Sequence, residues 1–141
     1  MRETLEDATM IRPGEIAAPF AVILPLLSGA AAAQNGADAE EGQLAFNNNC
    51  RTCHVTDEGD HRLGPSLHDI VGREAGASSG FGYSSAMRNS DVVWDEEALD
   101  RFIENPDAVV PGHNMKPFAG IPSTEERAKI IAYLKATDEG E

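Results

Sequence analysis

Cys50-Arg51-Thr52-Cys53-His54 holds the only two cysteines of this 141-residue chain, and a histidine directly follows the second. A C-x-x-C-H run of this kind reads as a c-type haem attachment site. Two thiols three positions apart on a turn of helix can each add to one vinyl group of the same porphyrin. The next residue then sits under the iron, where its imidazole can take the proximal axial position. Two other chemistries share part of the pattern. A thioredoxin-like dithiol belongs in a strand–helix–strand setting, which nothing around these residues suggests. A structural zinc site needs four ligands, and here there is no second cysteine pair. His61 and His68 are seven apart, outside the usual zinc spacing.

Charge and export come next. A formal net charge of -13, from 24 acids and 11 bases, argues against nucleic acid or an anionic membrane surface as a partner. Residues 16–33 are apolar or small apart from Ser28, contain Pro19 and Pro25, and end in Ala30-Ala31-Ala32-Ala33 before Gln34. That is a secretory signal peptide over residues 1–33, cleaved near Ala33. A membrane-spanning helix needs about 20 continuous apolar residues, more than this interrupted run provides. Met10-Ile11-Arg12 makes a better leader start than the acidic residues before it. Residues 34–141 then form one exported, periplasmic domain with 20 acids against 9 bases. Export agrees with the haem motif, because cysteine attachment needs an apparatus on the far side of a membrane.

The mature chain reads as all-α, with helices and loops wrapped around one haem. A first helix opens at Asp38 or Ala39, with Glu40 and Glu41 favouring its positive end. Gly42 and Phe46 share one of its faces, and a mid-helix glycine implies close approach of another helix. Residues 55–93 show little periodicity, and a loop region that long needs a haem to fill the core. Trp94 would be the largest side chain in that core. Asp95 caps a helix from Glu96 to Asn105, with Leu99, Phe102 and Ile103 on one face and Pro106 just beyond. Ser123 and Glu126 form a capping box for the last helix, whose Tyr133 or Ile130 lies over Gly42. Between these helices, Met115 stands on a proline- and glycine-containing loop. A thioether there is a natural sixth ligand and raises the reduction potential. Met87, the other methionine after the leader, lies in a Ser/Asn-rich stretch that lacks a stiffening proline.

The order of matches is specific: Gly42-x-x-x-Phe46-x-x-x-Cys50-x-x-Cys53-His54, Gly64-Pro65-x-Leu67, Val71-Gly72-Arg73, Gly80-Phe81-x-Tyr83-Ser84, Trp94, Glu104-Asn105-Pro106, Pro111-Gly112-x-x-Met115, Phe118-Ala119-Gly120-Ile121 and Ala132-Tyr133-Leu134-Lys135. Over residues 38–137 the chain resembles the class I c-type cytochromes of the mitochondrial and alphaproteobacterial group. The resemblance implies a monohaem, monomeric one-electron carrier and no enzyme. One haem c would be bound covalently through Cys50 and Cys53, with His54 and Met115 on the iron. Pro65's carbonyl would orient His54, and Arg73, Tyr83 and Trp94 would surround the propionates. It implies a quinol-oxidising cytochrome bc complex as donor, and a terminal oxidase or photosynthetic reaction centre as acceptor. A rival reading is a haem peroxidase whose weak sixth ligand swings away.

Some positions depart from that family. Phe102 stands where a tyrosine is usual, His113 replaces a small hydroxyl residue, and the loop after Met115 is one residue longer at Lys116-Pro117. Asp107, Ala108 and Asn114 occupy places in the ring of lysines that surrounds the exposed haem edge in mitochondrial members. Arg51, Arg62 and Lys116 are candidates for a local basic patch. In alkaline ferric protein His113 or Lys116 would offer a nitrogen that replaces Met115; the alternative is that His113 points to solvent or bonds a propionate.

Overall fold

The computed structural model describes residues 30–140. The leader expected over residues 1–33, and the alternative start at Met10, lie outside the described residues except for Ala30–Ala33. Five helices follow in order: α1 (Ala30–Asn49), α2 (Ser85–Arg88), α3 (Glu96–Glu104), α4 (Pro106–Val109) and α5 (Thr124–Asp138). Among the described residues the only pairing of strand type is an isolated antiparallel bridge between Glu74 and Val93. No helix among them is long and apolar enough to cross a membrane.

Helix α1 starts well before the expected Asp38. Alanine is the best helix former, so the run of four carries the helix backward past that site. Glu40 and Glu41 therefore sit inside the helix rather than at its positive end. Glu41 instead pairs with Lys129 of α5 at 3.0 Å.

The first and last helices cross where Gly42 allows it. A Cβ on Gly42 would lie 2.6 Å from the Lys129 carbonyl oxygen and 2.9 Å from Tyr133 Cβ. Phe46 then meets Tyr133 with ring centroids 5.2 Å apart. On α5, Ile130 and Leu134 are almost fully buried. Each such side chain contributes about 1.5–3 kcal/mol relative to exposure.

Capping follows the sequence closely. Asp95 accepts the Ala98 N–H at 2.7 Å, and Ser123 accepts the Glu126 N–H at 3.2 Å. The other half of the expected capping box is not made. The Glu126 carboxylate instead accepts from the Asn49 amide at 2.8 Å and ties α5 to the end of α1. Pro106 does not simply end α3. It occupies the first turn of α4, and the Asn105 side chain accepts the Ala108 N–H at 3.3 Å as that helix's cap. Proline has no N–H to lose at a helix start and its fixed φ suits one.

Arg127 is the polar centre of the helical part. Its side chain is 4% exposed and donates to Asp100 of α3 at 2.7 Å. It also donates to the Ile121 and Pro122 carbonyls, each at 2.9 Å. The long loop has its own clasps. His61 donates to the Ser79 carbonyl at 2.8 Å and accepts from the Ser66 N–H at 3.0 Å. Arg73 donates to the carbonyls of His68 and Ser66 at 2.7 and 2.9 Å. Trp94 is buried, paired with Phe102 at 4.8 Å, and held by backbone bonds to Arg73 and Gly72.

Candidate functional site

The cysteine pair lies on the turn that ends α1. Backbone N–H groups of Cys53 and His54 both donate to the Cys50 carbonyl, at 3.0 and 2.9 Å. One turn thus presents both thiols and the imidazole from adjacent backbone. Both cysteines are free and partly exposed, and Cys50 packs against the hydrophobic core. Burial, then the neighbouring Cys53 and Glu126, push the Cys50 thiol up to about 12. It is therefore a thiol and not a thiolate at neutral pH, and a weak nucleophile when unassisted.

His54 is buried, with 6% of its surface exposed. Its Nδ1 lies 2.8 Å from the Pro65 carbonyl oxygen, so that nitrogen carries the proton. Nε2 is left with the free lone pair, the arrangement a metal-ligating histidine needs. Burial lowers the pKa of the ring below its ordinary value, and the Pro65 bond offsets part of that shift. The net lowering leaves a neutral imidazole at neutral pH. The ring lies flat on Gly64, where a Cβ would come within 2.2 Å of Cε1. The loop closes here through the Gly64 N–H, which donates to the Cys53 carbonyl at 2.8 Å.

Met115 is partly buried and packs against the same core cluster as Cys50. His113, two residues earlier, is 3% exposed. Its Nδ1 accepts the Met115 N–H at 2.9 Å. Its Nε2 is 3.2 Å from Asp107 Oδ1, but out of line for a hydrogen bond. Asp107 also takes the Lys116 ammonium, and that bond first, then the Lys116 charge, lowers its carboxyl pKa. His113 and Lys116, the nitrogen donors expected to replace Met115, are thus both engaged with groups on their own side of the loop. Arg73 and Trp94 are placed as described above, and Tyr83 meets Phe81 edge-on at 4.9 Å.

The donor set fits a covalently held haem. Two thiols share a turn, an imidazole has one nitrogen oriented by a carbonyl, and a thioether faces the same core. Two features were missed in the sequence. Arg127 falls in register with Ile130, Ile131 and Leu134 on the apolar stripe of α5, and that position was the signal. The Asn49–Glu126 link had no signal, since each residue alone reads as exposed. Among the described residues no three His, Cys, Asp or Glu side chains converge on a point that could hold a metal ion.

The family model "Cytochrome c" matches residues 39–138. A cytochrome c of Euglena viridis is 42% identical over 98 residues, covering 70% of this chain and 95% of that protein. A cytochrome c2 of Rhodomicrobium vannielii is 40% identical over 123 residues, covering 86% of this chain and 96% of that protein. Among solved structures, cytochrome cH from Methylobacterium extorquens superposes with a TM-score of 0.64 at 36% identity, covering 70% of this chain and 98% of that one. The chain belongs to the cytochrome c family, an all-α monohaem electron carrier with haem c bound covalently through Cys50 and Cys53.

Proposed function

We propose that His54 and Met115 are the two axial ligands, and that the chain is an exported shuttle from a quinol-oxidising cytochrome bc complex to a terminal oxidase or photosynthetic reaction centre. The observation that carries the ligand assignment is the 2.8 Å contact between His54 Nδ1 and the Pro65 carbonyl. It fixes the tautomer and leaves Nε2 as the donor atom. Haem c supplies an iron that gains or loses one electron. The chain's residues hold that centre still: Cys50 and Cys53 anchor it, Pro65 and Gly64 fix the His54 ring, and the Met115 loop closes the other side. With both axial positions taken, no site remains for oxygen or peroxide, which separates this reading from a peroxidase.

The test is an absorption spectrum. Reduced wild-type protein should show sharp split visible bands that carbon monoxide leaves unchanged, while Met115→Ala should bind carbon monoxide. Ready carbon monoxide binding by the wild type would overturn the ligand assignment. Acid–acetone should leave haem on the wild type and extract more of it from Cys50→Ser or Cys53→Ser.

Export is supported by the leader-like residues 1–33. The longer overlap with the Rhodomicrobium vannielii protein also extends the likeness beyond the 39–138 match. Protein recovered from the periplasm should begin within a few residues of Gln34 on N-terminal sequencing. A membrane-bound product that retains residues 16–33 would refute cleavage.

The partner surface is not a ring of free cations. Of the three candidates for a basic patch, Arg62 is paired with Asp60 at 2.6 Å and Lys116 with Asp107. Arg51 has only the Asn47 side-chain oxygen, at 3.4 Å. The 20 acids after the leader outnumber the 9 bases. Electrostatic steering raises association rates by about 10- to 1000-fold and fades with salt. With an acidic-faced oxidase, the rate of electron transfer should therefore change by less than about tenfold as salt rises. A steep fall measured by stopped flow would mean that a basic patch governs docking after all.

A further inference from the structure

The loop that carries Met115 is organised by a residue the family pattern does not provide. His113 has a side chain with no exposure to solvent, and its lone pair at Nδ1 accepts the Met115 N–H at 2.9 Å. A nitrogen that accepts carries no proton, so the ring proton is on Nε2. That atom lies 3.2 Å from Asp107 Oδ1, in reach of the carboxylate's charge. The Lys116 ammonium binds Asp107 Oδ2. One carboxylate on α4 thus binds the residue after Met115 and lies beside the ring two residues before it. Phe102 of α3 stands edge-on to the His113 ring at 5.8 Å, and the His113 N–H donates to the Val110 carbonyl at 3.1 Å. The ring is a wedge with α3 on one side, α4 on another and the Met115 backbone on its acceptor nitrogen.

We propose that His113 is the positioning residue for Met115: its ring, held between Phe102 and Asp107, fixes the Met115 backbone and so the direction of the thioether. This inference rests on the reading of Met115 as an iron ligand. It explains how this chain orders the ligand loop where Phe102 has no hydroxyl to offer. A bond from a side chain to the N–H two residues on is also what asparagine makes in turns, so the acceptor role can be separated from the bulk of the ring.

The experiment compares His113→Asn, which keeps an acceptor, with His113→Leu, which keeps apolar bulk and loses it. Two readouts are taken on the intact haem protein: hydrogen exchange at the Met115 amide, and the thioether-to-iron charge-transfer band of the oxidised state. His113→Leu should exchange about two- to tenfold faster at Met115 and show a weakened band, as loss of one net hydrogen bond implies. His113→Asn should stay close to wild type in both. Equal behaviour of the two variants, whether both intact or both impaired, overturns the proposal, because the acceptor would then be irrelevant. Met115→Ala is run alongside and should abolish the band. If it does not, the ligand reading is wrong, and amide exchange in the two His113 variants decides whether His113 orders the loop.

Discussion

Gly64→Ala is expected to give protein that no longer shows a normal low-spin haem spectrum. The new Cβ would sit 2.2 Å from His54 Cε1, 2.6 Å from Nδ1 and 2.7 Å from Nε2. Real contacts at a Cβ stay above 3.0 Å, so the ring or the loop has to move. The ring cannot slide freely, because Nδ1 is held at 2.8 Å by the Pro65 carbonyl of the next residue. The loop cannot retreat freely either, because the Gly64 N–H is bonded to the Cys53 carbonyl at 2.8 Å. Whichever yields, the imidazole proposed as an iron ligand loses its aim. Overpacking of this kind costs about 1–3 kcal/mol in stability, but the sharper effect is on ligation. Covalent haem content by pyridine haemochrome should remain measurable while the reduced bands broaden and carbon monoxide binds. A variant with wild-type bands and no carbon monoxide response would show that the loop yields at Gly64 without turning the His54 ring.

Gly42→Val should lower the melting temperature by about 10–20 °C, from an expected loss of about 3 kcal/mol. Two opposing effects decide the sign. Replacing a helical glycine recovers backbone entropy, worth up to about 1 kcal/mol. Against it, the added Cβ meets the Lys129 carbonyl at 2.6 Å and Tyr133 Cβ at 2.9 Å. Neither is the far end of a flexible side chain. The helices must separate, and Phe46, Tyr133 and Ile130 lose their packing together. Thermal unfolding followed by circular dichroism gives the answer, and a melting point at or above wild type would mean that the crossing adapts more readily than this packing allows.

Helix boundaries with local causes were legible in the residues. Asp95 and Ser123 cap where they should, because the hydrogen bond each makes is within one turn of its own position. Gly42 also pointed correctly to a helix contact, since a glycine there needs a reason from outside the helix. Pro106 lies just beyond α3, as its position in the sequence implies, while its place in the first turn of a new helix depends on the Asn105 cap. The start of α1 was misplaced for a related reason: capping residues at Asp38 outweighed a run of alanines that simply prefer helix. Cys50, Cys53 and His54 could be placed together because they are neighbours in the chain. His113 reads in the sequence only as a nitrogen that could replace Met115, because Asp107 and Phe102 reach it through the packing of α3 and α4. Arg127 was missed in the sequence, since buried arginines are rare and are recognised by partners that only the fold brings near.

The Asn49–Glu126 bond has a consequence for when this protein can fold. Its two residues are 77 positions apart, and the helices they join are the first and the last of the described chain. Closing so large a loop costs entropy before any contact of that pair is gained. During synthesis α1 must therefore wait for α5, which follows it in the chain. Until then its apolar face has nothing to dock on, and the chain stays open. The export proposed above would need such an open chain, with its cysteine turn still accessible to whatever attaches the haem. The order of helices along the sequence thus works as a delay, holding back the α1–α5 contact until α5 has been made.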